Sequence, residues 1–556
     1  LRIARSGIGL SRQIGLLPTT TSATLTLDYR RAALESGDYV SVQASSDGVT
    51  FTELGRLTGP ATENNYKSAT YDVTRFKSAT TTFRLVSRFT LESSAYLADA
   101  VYVDNVQVAF VVPNSANSYP ALSGLPDLHA QGIRGQNVVV AVLDSGVWAH
   151  PNLLAGLDGG ARNLVQYDAI RNVVNSQWGQ GVLSTDESGH GTHVTSVLLN
   201  RGQDAQKRFL GVAPEARYVS IKAFDKQGAG RYADVIRAID WVVANRYTYS
   251  IRVLNCSFSA PARSRYWDDP INQALMKAWQ AGIVVVASAG NKGPTPMSIG
   301  VPGNLPYVIT VGALSDNYTP ENSKDDFLGS FSSVGPTAEG FVKPDLTAPG
   351  GHDWGLMSST AKIAQSYPQF KSDGEYFAMS GTSQSAGVVS GVVALMLQQK
   401  WQSPDDTKCQ LLSTARPAVK AAGTLAYSVF QQGAGMVNAA AAVSSTARGC
   451  GNYGLDIGAD LRGDRHFGGR ANRDASGQYY LMGLSSDGSR WDGRYSSSSG
   501  YAWSDGYTWS DGYAWSDGYI WSDGYAWSDG YTWSDGYAWS DGFTETMSTN
   551  AWVPQE

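Results

Sequence analysis

Hydrophobic and polar residues alternate along the first part of the chain. Between residues 1 and 112, apolar side chains recur at every second position in four runs: ATLTLDYRR, DYVSVQASSDG, TTFRLVSRF and AVYVDNVQVAF. This period, with turn-forming residues between the runs, predicts short antiparallel strands packed as a β-sandwich. Residues 113–124, rich in Pro, Ser and Asn, lack the pattern and are expected to form a linker.

The pattern changes from residue 125, where short Val- and Ile-rich runs alternate with longer amphipathic ones. YVSIKAF precedes ADVIRAIDWVVANR, and IRVLNCSFS precedes INQALMKAWQAG; IVVVASAGN and YVITVGAL follow. This order predicts an α/β domain over residues 125–447, with a mainly parallel sheet and helices on both faces. Functional side chains of such domains lie at the carboxyl ends of strands, where Asp144, Ser257 and Asn291 stand.

One run, AGVVSGVVALML at residues 386–397, is too apolar on all sides for a surface helix. We expect it to form a helix through the centre of the domain. Ser383, in the motif GTSQSAG, precedes this run and would lie at the helix N-terminus. Free backbone N–H groups and the helix dipole favour negative charge there, which suits a nucleophile. Taken alone, a serine at this position is more often a simple helix cap.

Two upstream motifs supply the groups that a nucleophilic serine needs. VVVAVLDSGV ends a strand-length apolar run near Asp144, and ESGHGTHVTSVLL places His190 in a glycine-flanked turn before another apolar run. A base must take the proton of the serine hydroxyl, and a carboxylate must hold that base in the right tautomer. Asp144, His190 and Ser383 provide these three groups.

The three motifs and their order resemble the subtilisin-like serine protease family (subtilases, peptidase S8), over about residues 122–447. The resemblance implies a serine endopeptidase that hydrolyses peptide bonds through an acyl-enzyme. Ser383 would be the nucleophile, His190 the general base and Asp144 its orienting partner. The N-terminal region more loosely resembles the jelly-roll accessory domains of secreted enzymes.

The resemblance also implies an oxyanion hole and a substrate groove. In ASAGNKG, Asn291 would donate its side-chain amide to the oxyanion, together with the Ser383 N–H. Two short segments would grip an extended polypeptide substrate: Ser257, Phe258 and Ser259 on one edge, and Ser288, Ala289 and Gly290 on the other. Phe258 and the small residues opposite it predict an apolar or broad first pocket. Lys292, at the rim of this pocket, would disfavour basic side chains.

Several positions depart from the family pattern or suggest another chemistry. HGTH could indicate a metal site, but no Cys or acidic cluster completes it. His193 is therefore expected to be structural, and no metal is assigned to catalysis. Gly387 stands where the family usually has Pro, which puts the geometry of the helix in question. Thr195-Ser196 replaces a small Ala-Gly pair and could crowd the packing near the base.

Catalysis is expected to need no cofactor. A calcium ion could still bind and stabilise the fold. Asp72 or Asp104 could hold such an ion in the sandwich. The calcium loops of the family are not matched in LNRGQDAQKRFLG, which follows the histidine motif.

The last hundred residues have a different composition. Residues 448–500 are rich in Gly, Ser, Asp and Arg and are expected to form a linker or a weakly ordered region. Residues 501–542 are seven copies of the hexapeptide YxWSDG, and 543–556 end the chain. Composition allows a disordered repeat, but seven Trp are costly to leave in water, which favours an ordered or self-associating element. It could dock on the protease, bind a cell surface or carbohydrate, or join copies of the chain.

Composition also narrows the partners and the compartment. Only 17% of the 556 residues are charged, the net charge is −6, and no basic patch indicates a nucleic-acid partner. No run reaches the length of a membrane-spanning helix. Of the three cysteines, Cys256 is expected to be a buried thiol, while Cys409 and Cys450 could pair. We expect a secreted, extracellular or cell-surface protein whose leader ahead of Leu1 has been removed.

A structural or adhesive role is the alternative to an enzyme. In that interpretation the protease-like domain is a scaffold, and residues 1–112 and 501–542 drive self-association into a surface layer or filament. The sandwich could also bind glycans or serve as a spacer. An enzyme with adhesive ends would satisfy both interpretations.

Overall fold

The structure is a computed structural model of the chain. It describes residues 2–481 with gaps, together with the backbone of 507–508 and 546–548. The gaps are residues 5, 8, 15, 17–19, 21, 79, 91–98, 112–123, 158, 178–180, 317–325, 373 and 421–423. Most of the expected linker at 113–124 and most of the seven repeats therefore lie outside the described residues.

Eight strands form the N-terminal domain: β1 (Arg2–Ile3), β2 (Gly9–Gln13), β3 (Ser22–Ala32), β4 (Tyr39–Ser45), β5 (Thr52–Thr58), β6 (Lys67–Asp72), β7 (Thr82–Arg88) and β8 (Ala100–Val111). They pair antiparallel into two four-stranded sheets, in the orders β1-β8-β3-β6 and β2-β7-β4-β5. Alternate residues of β3 (Ala23, Leu25 and Leu27) are buried in a core to which both sheets contribute. The predicted all-β N-terminal domain is confirmed.

The α/β domain contains twelve further strands: β9 (Val139–Asp144), β10 (Asn163–Asp168), β11 (Val173–Gln177), β12 (Arg217–Lys222), β13 (Ala229–Arg231), β14 (Ile251–Cys256), β15 (Val284–Ser288), β16 (Ile309–Ser315), β17 (Phe327–Leu328), β18 (Leu346–Pro349), β19 (Asp353–Leu356) and β20 (Tyr376–Met379). Its helices are α1 (Leu125–Ala130), α2 (Pro151–Leu154), α3 (His190–Leu199), α4 (Tyr232–Asn245), α5 (Pro270–Gln280), α6 (Lys362–Ser366), α7 (Thr382–Gln399), α8 (Pro404–Thr414), α9 (Val429–Gln432) and α10 (Ala439–Ser444).

Nine of these strands form the central sheet, in the order β11-β10-β12-β9-β14-β15-β16-β17, with β18 paired to β16. Neighbouring strands from β10 to β16 are parallel, whereas β11 and β17 pair antiparallel. The predicted mainly parallel α/β fold is confirmed. Lys222 lies opposite Asp144, and Cys256 lies opposite Leu143. This register brings the carboxyl ends of β12, β9 and β14 to one edge of the sheet.

Helix α7 passes through the middle of the domain, as its sequence predicts, and every residue from Thr382 to Leu397 is buried. The glycine at 387 leaves the helix continuous. A Cβ at Gly387 would lie 3.4 Å from the carbonyl oxygen of Val194, which is an ordinary contact. At Gly391 a Cβ would lie 2.5 Å from the Cβ of Val212, so the close packing of α7 requires glycine there.

Residues 448–481 differ from the expected weakly ordered linker. They form α11 (Ile457–Leu461), β21 (Phe467–Gly468), β22 (Ala471–Arg473) and β23 (Tyr479–Leu481). The carboxylate of Asp460 accepts hydrogen bonds from the hydroxyls of Tyr266 at 2.6 Å and Tyr307 at 2.9 Å. Its other oxygen lies 2.7 Å from Nδ1 of His466. Polar residues that composition assigns to a solvated linker thus bind the α/β domain.

A disulfide between Cys409 in α8 and Cys450 ties the same segment to the α/β domain. The pairing that the sequence left open is therefore made. Cys256 is the buried free thiol that was expected, and burial raises the pKa of this thiol far above its ordinary value. No helix in the described part of the chain has the length and apolarity needed to cross a membrane.

Candidate active site

Asp144 ends β9, whose six residues are all buried between β12 and β14. Its side chain is 1% exposed. The Oδ1 atom accepts a hydrogen bond from the backbone N–H of Ser145 at 2.8 Å and lies 2.8 Å from Nδ1 of His190. The buried strand therefore ends in a carboxylate that contacts the Nδ1 atom of the imidazole.

His190 is the first residue of α3, and Gly189 before it has a φ of 99°. A Cβ at Gly189 would lie 2.9 Å from the Cβ of Ala361, so both the backbone angle and the packing require glycine. Burial by itself lowers the pKa of His190. The charge and hydrogen bond of Asp144, with the charge of Asp186, outweigh that effect and raise the pKa above its ordinary value.

A second carboxylate, Asp186, was missed by sequence reasoning. One oxygen accepts from the Ser145 hydroxyl and the Gly189 N–H, both at 2.8 Å. The other accepts from the N–H of Thr192 at 2.8 Å and from its hydroxyl at 2.6 Å. Asp186 thereby fixes the start of α3 against the loop after Asp144. Its place just ahead of a helix, typical of a side chain that caps free N–H groups, was the available signal.

Ser383 is the second residue of α7 and is 1% exposed. Its hydroxyl donates to the carbonyl oxygen of Ser257 at 3.2 Å, and the Ser257 hydroxyl donates to the Ser383 carbonyl oxygen at 3.0 Å. The side-chain amide of Asn255 donates to the Ser257 hydroxyl at 2.9 Å. The end of β14 is thus bonded directly to the first turn of α7, which fixes the position of Ser383.

Helices α3 and α7 contact each other close to His190 and Ser383. Nδ1 of His193 lies 3.3 Å from Nε2 of Gln384, and Nε2 of His193 lies 2.9 Å from the carbonyl oxygen of Phe377. Burial lowers the pKa of His193 to about 4, so this imidazole is neutral and donates from Nε2. These contacts support the expected structural role of His193. They also bring the helix starts that carry His190 and Ser383 together.

Ser196, which departs from the family pattern, fits because a glycine, Gly355, lies against its hydroxyl. Its hydroxyl donates to the carbonyl oxygen of His193 at 2.8 Å and accepts from the Leu356 N–H at 2.8 Å. A Cβ at Gly355 would lie 2.7 Å from this hydroxyl. The added hydroxyl therefore bonds β19 to α3, and Gly355 provides the space.

Asn291 follows β15 and faces the same helix start. Its Oδ1 accepts from the N–H of Thr382 at 3.0 Å and from the Thr382 hydroxyl at 2.9 Å. These bonds set the amide orientation and leave Nδ2 as the outward donor. A Cβ at Gly381 would lie 3.1 Å from this Nδ2 and 3.8 Å from the backbone N of Ser383. Two N–H donors therefore border one small space at the start of α7, where Oε1 of Gln384 also lies 2.8 Å from the same position.

The two expected groove segments are bonded to each other, because the Ser288 hydroxyl donates to the carbonyl oxygen of Phe258 at 3.1 Å. The Phe258 ring does not line an open pocket as expected. It is fully buried and packs on Phe224, with ring centroids 5.1 Å apart. Ala289 is also fully buried. At Gly290, where φ is 103°, a Cβ would lie 3.1 Å from the hydroxyl of Ser259. The small residues are thus required by packing.

No group of three or more His, Cys, Asp or Glu side chains in the described ranges is placed to hold a metal ion. Asp204, in the loop after α3, pairs instead with Nε of Arg208 at 2.7 Å. In the sandwich, one carboxylate oxygen of Asp72 accepts from the N–H and hydroxyl of Thr74. An oxygen of Asp104 accepts from a backbone N–H. Both carboxylates therefore have hydrogen-bond partners in the sandwich, and a calcium ion at either one stays a prediction.

The α/β domain is similar in sequence to known proteins. The model of the subtilase family matches residues 135–443. "Serine protease AprX" of Bacillus subtilis (strain 168) is 36% identical over 318 residues, which cover 56% of this chain and 67% of AprX. "Subtilisin" of Bacillus pumilus is 32% identical over 322 residues, covering 57% of this chain and 94% of that protein. A solved "cold adapted subtilisin-like serine proteinase" aligns at 25% identity with a TM-score of 0.38, covering 51% of this chain and 83% of the other.

Proposed function

Because the chain belongs to the subtilase family and is a serine protease, we propose that Asp144, His190 and Ser383 are its catalytic triad. The observation that carries this proposal is the 2.8 Å contact between Asp144 Oδ1 and His190 Nδ1. Both side chains are almost fully buried, and α3 packs on α7, in which Ser383 is the second residue. Such an imidazole is held in one tautomer, with Nε2 free to act as a base.

The reaction runs in two stages through an acyl-enzyme. Ser383 Oγ attacks the carbonyl carbon of a peptide bond while Nε2 of His190 takes the hydroxyl proton. Asp144 stabilises the resulting imidazolium. His190 then gives the proton to the leaving amine, and the acyl group stays on Ser383. A water molecule, deprotonated by His190 in the same way, releases the acyl group. As in other subtilases, no organic cofactor is needed.

Asn291 and the Ser383 N–H form the oxyanion hole in this mechanism. Replacing Asn291 by alanine is expected to lower kcat by about 10²- to 10³-fold with little change in KM, because the donor acts where charge develops. Steady-state kinetics on a peptide amide substrate measure this effect. An unchanged kcat would show that Nδ2 does not bind the oxyanion.

A fluorescent fluorophosphonate tests the proposed function directly, since it reacts with an activated serine. We expect the full chain to be labelled and the adduct to map to Ser383 by mass spectrometry. The Ser383→Ala variant should lose the label. A Ser359→Ala variant, which removes an exposed serine, should keep it. A native chain that stays unlabelled would contradict a competent site.

Polypeptide substrates bind in an extended form alongside segments 257–259 and 288–290, which the Ser288–Phe258 hydrogen bond joins. Lys292 follows the oxyanion residue and is exposed, so its charge disfavours a basic side chain before the scissile bond. Peptides differing only in Lys, Glu or Leu at that position test this preference. Equal kcat/KM values for the three would contradict it.

We place the enzyme outside the cell. The Cys409–Cys450 disulfide supports this location, because disulfides persist in oxidising compartments. Recovery of the native chain from the cytosol alone would contradict it.

The adhesive alternative has weaker support than the enzyme, since family membership and the His190–Asp144 pair both favour chemistry. Surface binding by residues 1–112 or 501–542, or a structural calcium ion, would be an addition to that chemistry.

A further inference from the structure

Strand β13 lies near the carboxyl end of β9, where Asp144 stands. A Cβ at Gly230 would lie 2.8 Å from both the carbonyl oxygen of Ala223 and Cδ1 of Phe224. The N–H groups of Ala223 and Phe224 donate to the Asp144 carbonyl oxygen at 2.9 and 3.3 Å. Phe224 also packs on Phe258, the residue after Ser257. Only this pair of residues separates β13 from Asp144, so β13 borders the catalytic site.

A turn fixes the edge of this strand. The N–H of Asp225 donates to the carbonyl oxygen of Ala229 at 2.9 Å, and the Asp225 carboxylate accepts from the Ala229 N–H at 3.0 Å. Strand β13 takes no part in the central sheet. Its backbone is therefore a short, preformed edge to which an extended chain can add.

The strand that adds to this edge comes from the C-terminal end of the same chain. It is β25 (Thr546–Ser548), and the two strands are antiparallel. Ala229 lies opposite Ser548, Gly230 opposite Met547, and Arg231 opposite Thr546. An extended segment of the chain's own backbone thus pairs with a strand that lies near the end of β9, where Asp144 stands.

We propose that residues 546–548 act as an internal, substrate-like strand that occupies β13 and competes with polypeptide substrates. The inference rests on the proposed protease function. Polypeptides bind to proteases as extended strands, and one sheet edge can pair with only one added strand. Phe224, which lies against β13, also packs on Phe258 of segment 257–259, so a substrate extended along that segment reaches β13 and excludes the chain's own strand there.

A second pairing holds the C-terminal region on the same domain. Strand β24 (Tyr507–Thr508), at the start of the second hexapeptide repeat, pairs antiparallel with β21. The segment around β21 is itself anchored, because the Phe467 N–H donates to the Tyr266 hydroxyl at 3.2 Å. Three paired residues would bind weakly as a free peptide. A tether within one chain gives them a high effective concentration at β13.

A double proline substitution tests the competition. In Met547→Pro/Ser548→Pro, at least one N–H that faces β13 is removed, because successive N–H groups of a strand point to opposite sides. We expect kcat/KM for a peptide substrate extended on the N-terminal side of the scissile bond to rise about tenfold. Hydrolysis of a small ester that reaches only Ser383 should be unchanged. Asn550→Pro/Ala551→Pro, outside the described pairing, is the matched control and should behave as the native chain.

Hydrogen exchange measures the docking without relying on catalysis. In a Ser383→Ala background, the backbone amides of Ala229–Arg231 should exchange faster when the 547/548 prolines are present. Equal exchange rates, or equal kcat/KM on the extended peptide, would overturn the proposal. A change that depends on protein concentration would assign the strand to a second copy of the chain and would also overturn it.

The same experiments separate this inference from the proposed function. If ester hydrolysis and fluorophosphonate labelling persist but the 547/548 prolines leave hydrogen exchange at β13 unchanged, the protease function stands and the internal strand is rejected. If the native chain shows neither ester hydrolysis nor labelling, although the β13 amides are protected from exchange, the protease function is contradicted. Competition for substrate is then contradicted as well.

Discussion

Replacing His190 by alanine is expected to lower kcat for a peptide amide by about 10⁴- to 10⁶-fold, with KM nearly unchanged. In the proposed mechanism, this imidazole takes the Ser383 proton and returns it to the leaving amine. Without it, the oxyanion donors and substrate binding still operate, so activity should remain above that of water. Initial rates over a range of substrate concentrations separate kcat from KM.

The chain offers a matched control for this change. His466 also lies 2.7 Å from a buried aspartate, Asp460, but it belongs to the segment after the family domain. A His466→Ala variant therefore loses a similar side-chain pair and should keep nearly native kcat. A comparable loss in both variants would point to a general effect on folding. A His190→Ala variant with native kcat would exclude this histidine as the base.

Asp144→Asn is expected to lower kcat by about 10⁴-fold while preserving the fold. Asparagine has the shape of aspartate but no charge, so it can neither stabilise the imidazolium nor enforce the correct tautomer. The pH profile adds a second readout. His190 acts as a base only when neutral, so kcat/KM falls as the pH drops through its pKa.

The direction of the pH shift follows from the same contacts. Burial lowers the pKa of His190, and the Asp144 charge is the main effect that raises it. Removing this charge should lower the pKa, so the acidic limb of the kcat/KM profile should move to lower pH. Asp186→Asn, which removes a more indirect charge, should shift the limb less and cost less kcat. An acidic limb that stays in place in Asp144→Asn would contradict the role of Asp144.

The central sheet and its helices were predictable because burial leaves a strong pattern. β9, β12, β14 and β15 lie in the sheet interior, so nearly all of their residues are buried and Val, Ile and Leu recur in their sequences. Helix α7 is apolar on every side because every side is covered. Edge strands carry no such pattern. β5 and β6 are mostly exposed or half-buried, and sequence reasoning did not find them.

The candidate site was predictable where a motif carries the chemistry and less so where packing decides. Asp144, His190 and Ser383 lie in motifs whose neighbouring residues match the family pattern. Asp186 lies in no motif that sequence reasoning used, and its hydrogen bonds become visible only when α3 is placed. The position of the Phe258 ring depends on Phe224, which comes from another strand end. Contacts between distant segments of this kind leave no local signal.

The anchored segment after the family domain also affects how long the enzyme survives in solution. A protease can cut any copy of itself that offers a stretch of backbone able to extend into its groove. Glycine-rich, polar sequence such as that of residues 448–481 would normally be such a stretch. The Cys409–Cys450 bond and the hydrogen bonds to Asp460 hold it in place instead. We therefore expect self-digestion within residues 448–481 to be slow.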